Sequence, residues 1–176
     1  MLGHFADTNA LAGYGLGLTI ILATTNLSPI LFGFAAGNFM SQAYGAEEYR
    51  LCSVFNNRMI FMNTIHFGVL FLICYLFTAG MFEKMGFNPE MSVYATKTIV
   101  IINPFTYFEI LRYQYIQFAQ CQKQVWVQPL SGAIGVPIHI ALVVLFYYVF
   151  DWGFEGVMFA CGFLFLARFL AIYILI

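Results

Sequence analysis

Long unbroken apolar runs, rather than alternation or a single amphipathic stripe, set the pattern of this chain. Five stand out, at residues 11–40, 54–82, 93–118, 128–150 and 156–176. A helix needs about 20 apolar residues to cross the hydrocarbon core of a bilayer, so each run predicts one spanning helix. A membrane β-strand would instead alternate over about ten residues, and continuous runs favour helices. The first run is longer than a straight span needs, which predicts tilt or a kink. Pro29 supplies a cause for a kink by removing a backbone donor, and Pro104 and Pro137 sit inside the third and fourth runs. Four short polar connections, 41–53, 83–92, 119–127 and 151–155, predict antiparallel packing of neighbouring helices. The fold class read from this pattern is an all-α integral membrane bundle of about five transmembrane helices.

Composition strengthens that reading. The chain is 62% hydrophobic and 9% charged, with a mean hydropathy of +0.84, whereas soluble domains carry about 25% charged residues. A soluble domain of 176 residues could not cover itself with so little polar surface. Seven basic and eight acidic residues give a net charge of -1, and no basic tract marks a nucleic-acid partner. Cys52, Cys74, Cys121 and Cys161 stand at no metal-ligand spacing and read as small apolar filler. His4, His66 and His139 are far apart and form no ligand pair, so neither a metal nor a catalytic cluster is expected and an embedded enzyme is disfavoured.

Charge placement orients the bundle. Arg50, Arg58 and Lys123 lie in or beside the first and third connections, which the positive-inside bias puts in the cytoplasm. No basic segment precedes the first run, so a cleavable signal is not expected. The chain closes on Ala171 to Ile176 without a hydrophilic tail, which reads as a fragment of a longer protein.

A series of short motifs then resembles one family. Gln42, Ala43, Gly45 and Ala46, at the end of the first run, are similar to the Gln-Ala-x-Gly-Ala signature of the MATE family, the multidrug and toxic-compound extrusion transporters. Asn57 and Arg58 stand where that family has Gln-Arg. Gln122, Gln124 and Pro129 resemble its Gln-x-Gln followed by Pro, and Gly153, Gly156 and Ala160 its Gly-Phe-x-Gly-x-x-x-Ala. Gly3 and His4 resemble the close of the family's first helix. The order implies that residues 1–176 correspond to helices two to six of a twelve-helix transporter, part of its N-terminal lobe. Val157 and Met158 depart from the family's small residues, which predicts looser packing after Gly156. Glu155 is also unusual there.

The resemblance implies export of organic cations or small amphipathic compounds by alternating access, coupled to a proton or sodium gradient, with no other cofactor. It implies a bilayer, a small organic substrate, and a second lobe or second copy as partners, in the plasma membrane or an organelle membrane. Two alternatives are a truncated or degenerate paralogue without transport, and a lipid-linked flippase. Arg112 and Arg168 are few cations for a flippase cavity.

The candidate pathway residues are polar groups within spans. Glu109 and Arg112 lie three apart on one helix face, as a structural ion pair or a substrate contact. His139, two residues after Pro137, is a candidate proton site, although Val143 replaces the second polar residue that the family commonly shows one turn on. Asn26, Asn38 and Asn103 line the pathway or bond to neighbouring helices. His66 and Lys97 read as interfacial or snorkelling residues. Trp126 and Trp152 read as interfacial belt residues beside loops. Gly13, Gly15, Gly17, Gly33 and Gly37 read as close-packing positions, and Gly45 as a helix stop.

Overall fold

The computed structural model describes residues 7–176, apart from the side chains of Ser28, Ala79 and Glu83. Gly3 and His4 lie outside the described residues. Helix α1 (Thr8–Ile21) continues through a π-helical turn (Leu22–Asn26) into α2 (Leu27–Gly45). Helices α3 (Tyr49–Lys84), α4 (Pro89–Cys121), α5 (Val127–Val144) and α6 (Gly153–Leu175) follow, with a second π-helical turn (Leu145–Val149) closing α5. No strand occurs among the described residues.

Among the described residues, four stretches are long and apolar enough to cross a membrane: Thr8–Gly45, Tyr49–Thr78, Val127–Val149 and Gly153–Leu175. The chain is a multi-pass integral membrane protein. The remaining helix, α4, is 33 residues long but carries Glu90, Lys97, Glu109 and Arg112 and is the least apolar of the set. It is also the centre of the bundle, packing against α1, α2, α3 and α6. The core is mostly apolar, but many large apolar side chains also face outward and several polar ones are buried. Phe77 and Val149 are each 65% exposed, whereas Thr98, Thr106 and Gln114 of α4 are 0% exposed. Lipid accommodates the apolar outside, and the buried Thr98 and Thr106 hydroxyls donate to the carbonyls of Tyr94 and Asn103 in their own helix.

The α1–α2 rod runs parallel to α4 in a nearly constant register. Asn9 meets Glu90 at 2.7 Å, and Ser41 meets Cys121 at 3.3 Å near the other end, offsets of 81 and 80 residues. Small residues make the approach possible. A methyl group at Gly13 would lie 2.6 Å from Tyr94 Cβ and 2.7 Å from the Met91 carbonyl oxygen. One at Gly17 would lie 2.8 Å from Thr98 Cβ. Gly33 and Gly37 face Tyr113, Gln114 and Gln117 in the same way, whereas nothing lies within 4 Å of Gly15. The close-packing reading therefore holds for four of these glycines and fails for Gly15, which points outward.

Antiparallel packing is only part of the arrangement. Thr24 meets Cys74 and Met40 meets Cys52, so the rod and α3 are antiparallel. Helix α5 lies antiparallel to α6 but barely touches α4, its other chain neighbour. The most extensive contacts, α4 with α6 and α1 with α4, join parallel helices two spans apart.

Three expectations need correction. The first connection is residues 46–48 rather than 41–53, because the helix continues to Gly45. The left-handed residue that ends it is Glu47 (φ 63), not Gly45. Its amide donates to the Tyr44 carbonyl at 3.1 Å and that of Glu48 to the Ala43 carbonyl at 2.9 Å, a Schellman closure. Secondly, Val157 and Met158 do not loosen the packing. They are 7% and 0% exposed in the main core, where Thr98 Oγ1 reaches Met158 Sδ at 3.7 Å. Thirdly, Lys97 does not merely snorkel. Its Nζ pairs with Glu155 Oε1 at 2.7 Å, giving that carboxylate a partner on α4. Both side chains are about half exposed, so Lys97→Ala should cost less than about 1 kcal/mol in detergent unfolding.

Helices α4 and α5 run unbroken through Pro104 and Pro137. The irregularity in the rod is the π-helical turn just before Pro29, where Thr24 and Thr25 hydroxyls donate to the carbonyls of Ile20 and Ile21 at 2.6 and 2.7 Å. The cysteines are more than filler: Cys52 on α3, Cys121 on α4 and Cys161 on α6 each reach across to the rod.

Candidate functional site

The charged centre of the bundle lies between α4 and α6. Glu109 and Arg112 are one turn apart on α4, as the spacing predicts. Arg112 Nε donates to Glu109 Oε2 at 2.7 Å, and Arg112 Nη2 donates to Oε1. A third group joins them from α6, where Arg168 Nη1 lies 3.7 Å from Glu109 Oε1. The Arg112 side chain is 8% exposed, Glu109 20% and Arg168 25%. One carboxylate thus serves two guanidiniums. Among the described residues Arg168 Nε is buried without a hydrogen-bond partner.

Arg168 reaches this position across a glycine. Its Cγ and Cδ lie where a methyl at Gly135 would be 2.9 and 3.0 Å away, so α5 leaves room for the aliphatic stem. One turn along the same face of α5 stands His139. It lies against the Ala160 backbone, and its Nδ1 is buried with no hydrogen-bond partner among the described residues. His139 and Arg168 line one groove of about 460 Å³ between α5 and α6. Val136, Ile140 and Leu164 supply its apolar walls, and Gly132 and Gly135 also line it. That volume falls in the range of small-molecule sites, about 300–1,000 Å³.

The remaining candidates distribute along the bundle rather than converging. Asn103 is 2% exposed, and its Oδ1 accepts from Thr106 Oγ1 at 3.3 Å within α4. Asn26 ends the π-helical turn half-buried, and Asn38 faces outward on α2. Arg58 is exposed on α3, Gln42 on α2, and Pro129 in the first turn of α5. Gln122 and Gln124 flank Lys123 in the turn after α4, where Lys123 (φ 65) and the Gln124 amide repeat the closure seen at Glu47. Gly153 (φ 52) opens α6. At Gly156 a methyl would lie 2.9 Å from the Phe146 carbonyl oxygen, so that glycine lets the end of α5 approach. Gly45 and Ala46 close α2. His66 is half-buried, edge-on to Phe32 with ring centroids 5.6 Å apart. Trp126 and Trp152 are each 50% exposed beside the turns flanking α5.

Two features were not legible in the sequence as parts of a site. Arg168 was noticed only as a scarce cation, because 59 residues separate it from Glu109 and nothing local links them. The second feature is that Asn56, Asn63 and Gln114 are each buried with unpaired side-chain atoms among the described residues. Gln114 Nε2 reaches the Pro29 carbonyl at 3.4 Å. Asparagine within an apolar run is the signal that could have flagged Asn56 and Asn63.

Comparison with known proteins agrees with this architecture. The sequence model of the MatE family matches residues 1–145. Protein DETOXIFICATION 34 of Arabidopsis thaliana is 25% identical over 163 residues, covering 88% of this chain and 28% of that protein. Protein DETOXIFICATION 28 of the same plant is 25% identical over 162 residues, covering 86% of this chain and 33% of its own length. The chain therefore spans about a third or less of these relatives. An inward-facing multidrug resistance MATE family transporter of the MOP superfamily superposes with a TM-score of 0.82 at 14% identity, covering 94% of this chain and 37% of that one. A MATE protein in a bent conformation gives 0.82 at 15% identity with the same coverage.

Proposed function

This chain belongs to the MatE family, and on that premise we propose that it forms part of one lobe of an ion-coupled exporter. The transported molecules are organic cations or small amphipathic compounds, moved by alternating access between two lobes and driven by a proton or sodium gradient. The observation that carries the reading is the match of 94% of this chain to 37% of a multidrug transporter fold, together with the polar interior built on α4. Parallel packing of the rod, α4 and α6 gives a stiff unit, as rocking of one lobe against another requires.

The groove beside Arg168 favours the amphipathic description over the cationic one, since its walls are apolar and its charge is positive. A single lobe has nothing to rock against, so the chain by itself should not transport. The test is efflux from proteoliposomes under an imposed proton or sodium gradient, using a fluorescent organic cation and a fluorescent amphipathic sulfonate. Chain alone is compared with chain co-expressed with a family member's second lobe. Gradient-dependent efflux only in the co-expressed sample is expected. Efflux by the chain alone overturns the one-lobe reading. Silence of the co-expressed pair under both gradients, with ligand binding intact, favours a degenerate paralogue.

A further inference from the structure

We propose that the groove between α5 and α6 is an anion-selective subsite, in which Arg168 holds the negatively charged head of a small amphipathic compound. The inference rests on the export reading for its context but stands on its own geometry. Glu109 carries one negative charge, and Arg112 and Arg168 two positive ones. Arg112 takes both carboxylate oxygens as hydrogen-bond acceptors. Arg168 is left with a 3.7 Å approach to one of them, beyond hydrogen-bond distance. Its Nε has no partner among the described residues. Charge at membrane depth is costly and is normally paired, so this surplus cation calls for an anion that the described residues do not supply.

The surroundings fit a particular shape of anion. Arg168 lines an open groove whose other walls are Val136, Ile140 and Leu164. A planar guanidinium with free donors matches a carboxylate, sulfonate or phosphate oxyanion in bidentate geometry. The apolar walls match a hydrophobic body attached to that head. His139 lines the same groove, with its Nδ1 buried behind the lining. A groove built for organic cations would place a carboxylate here. Among the described residues, the carboxylate that reaches Arg168 is Glu109, and it is already held by Arg112.

The test compares two probes with the same aromatic body: anilinonaphthalene sulfonate and uncharged phenylnaphthylamine. Binding is measured to the whole chain in nanodiscs of zwitterionic lipid, with empty nanodiscs subtracted. The wild-type chain should bind the sulfonate at least about tenfold more tightly than the uncharged probe, as a charge-assisted hydrogen bond implies. Equal affinities overturn the proposal without any variant. Arg168→Gln should weaken the sulfonate about tenfold and leave the uncharged probe within about twofold. An unchanged sulfonate affinity in that variant overturns it. Phosphatidylglycerol added to the nanodiscs should not displace the sulfonate; displacement would hand the groove to a lipid headgroup and overturn the small-molecule assignment. Because the assay reads binding, sulfonate selectivity without efflux would sink the transport reading and leave this one standing.

Discussion

Replacing Gly13 and Gly17 together with alanine should cost about 3 kcal/mol and separate α1 from α4. The estimate follows from the neighbours. The added methyls would come within 2.7 Å of the Met91 carbonyl oxygen and 2.9 Å of the Ala95 carbonyl oxygen. Backbone atoms of a helix cannot rotate aside as a flexible side chain can, so the helices must move apart and lose their shared surface. Alanine at Gly15 is the control, since nothing lies within 4 Å of that position. There the better helix propensity of alanine should leave stability unchanged or raise it by up to about 1 kcal/mol. Unfolding in mixed micelles, followed by the fluorescence of Trp126 and Trp152, reads both variants. Equal behaviour of the double variant and the Gly15 control would show that the parallel seam does not hold the rod to α4.

Glu109→Gln should be the other severe substitution, costing about 3–5 kcal/mol. It leaves Arg112, whose side chain is 8% exposed, facing Arg168 with no carboxylate between them. Removing one member of a buried pair strands the remaining charge, which is worse than never having had the pair. Two companion variants make the reasoning specific. Adding Arg112→Leu to Glu109→Gln should recover much of the loss, because the stranded charge goes with it. Arg168→Gln alone should cost less than about 1 kcal/mol, because it removes the surplus cation and leaves the Glu109–Arg112 pair intact. The same mixed-micelle unfolding decides among them. If Arg168→Gln proves as damaging as Glu109→Gln, the three groups form one structural unit, and Arg168 is not held in reserve for a ligand.

Much of the architecture follows from one-dimensional pattern. Five helices at nearly the observed positions were legible because a bilayer demands long apolar runs, and a run announces itself without reference to its neighbours. The Glu109–Arg112 pair was legible because a three-residue spacing fixes one helix face. The family motifs carried the assignment, although Gln42, Gln122 and Pro129 lie at or near helix ends, Arg58 lies within α3, and none of them is in the groove. Some boundaries were misread because polar residues such as Gln42 and Arg50 look like loop but continue helices at the water interface.

What the sequence by itself determined is therefore the solvent, the number of helices, the family and the local pairs on one helix face. Only the tertiary structure decided which helices lie together. Loop length predicts that neighbours meet, yet the closest partners are parallel helices two spans apart, because close approach depends on Gly13 and Gly17 meeting particular atoms of α4. Only the tertiary structure brought Arg168 to Glu109 and set His139 beside it across Gly135. The physical reason is range. Hydrophobic length and helical periodicity act between residues a few positions apart. The pairing of charges in a low-dielectric interior acts through space, between residues that the chain itself keeps far apart.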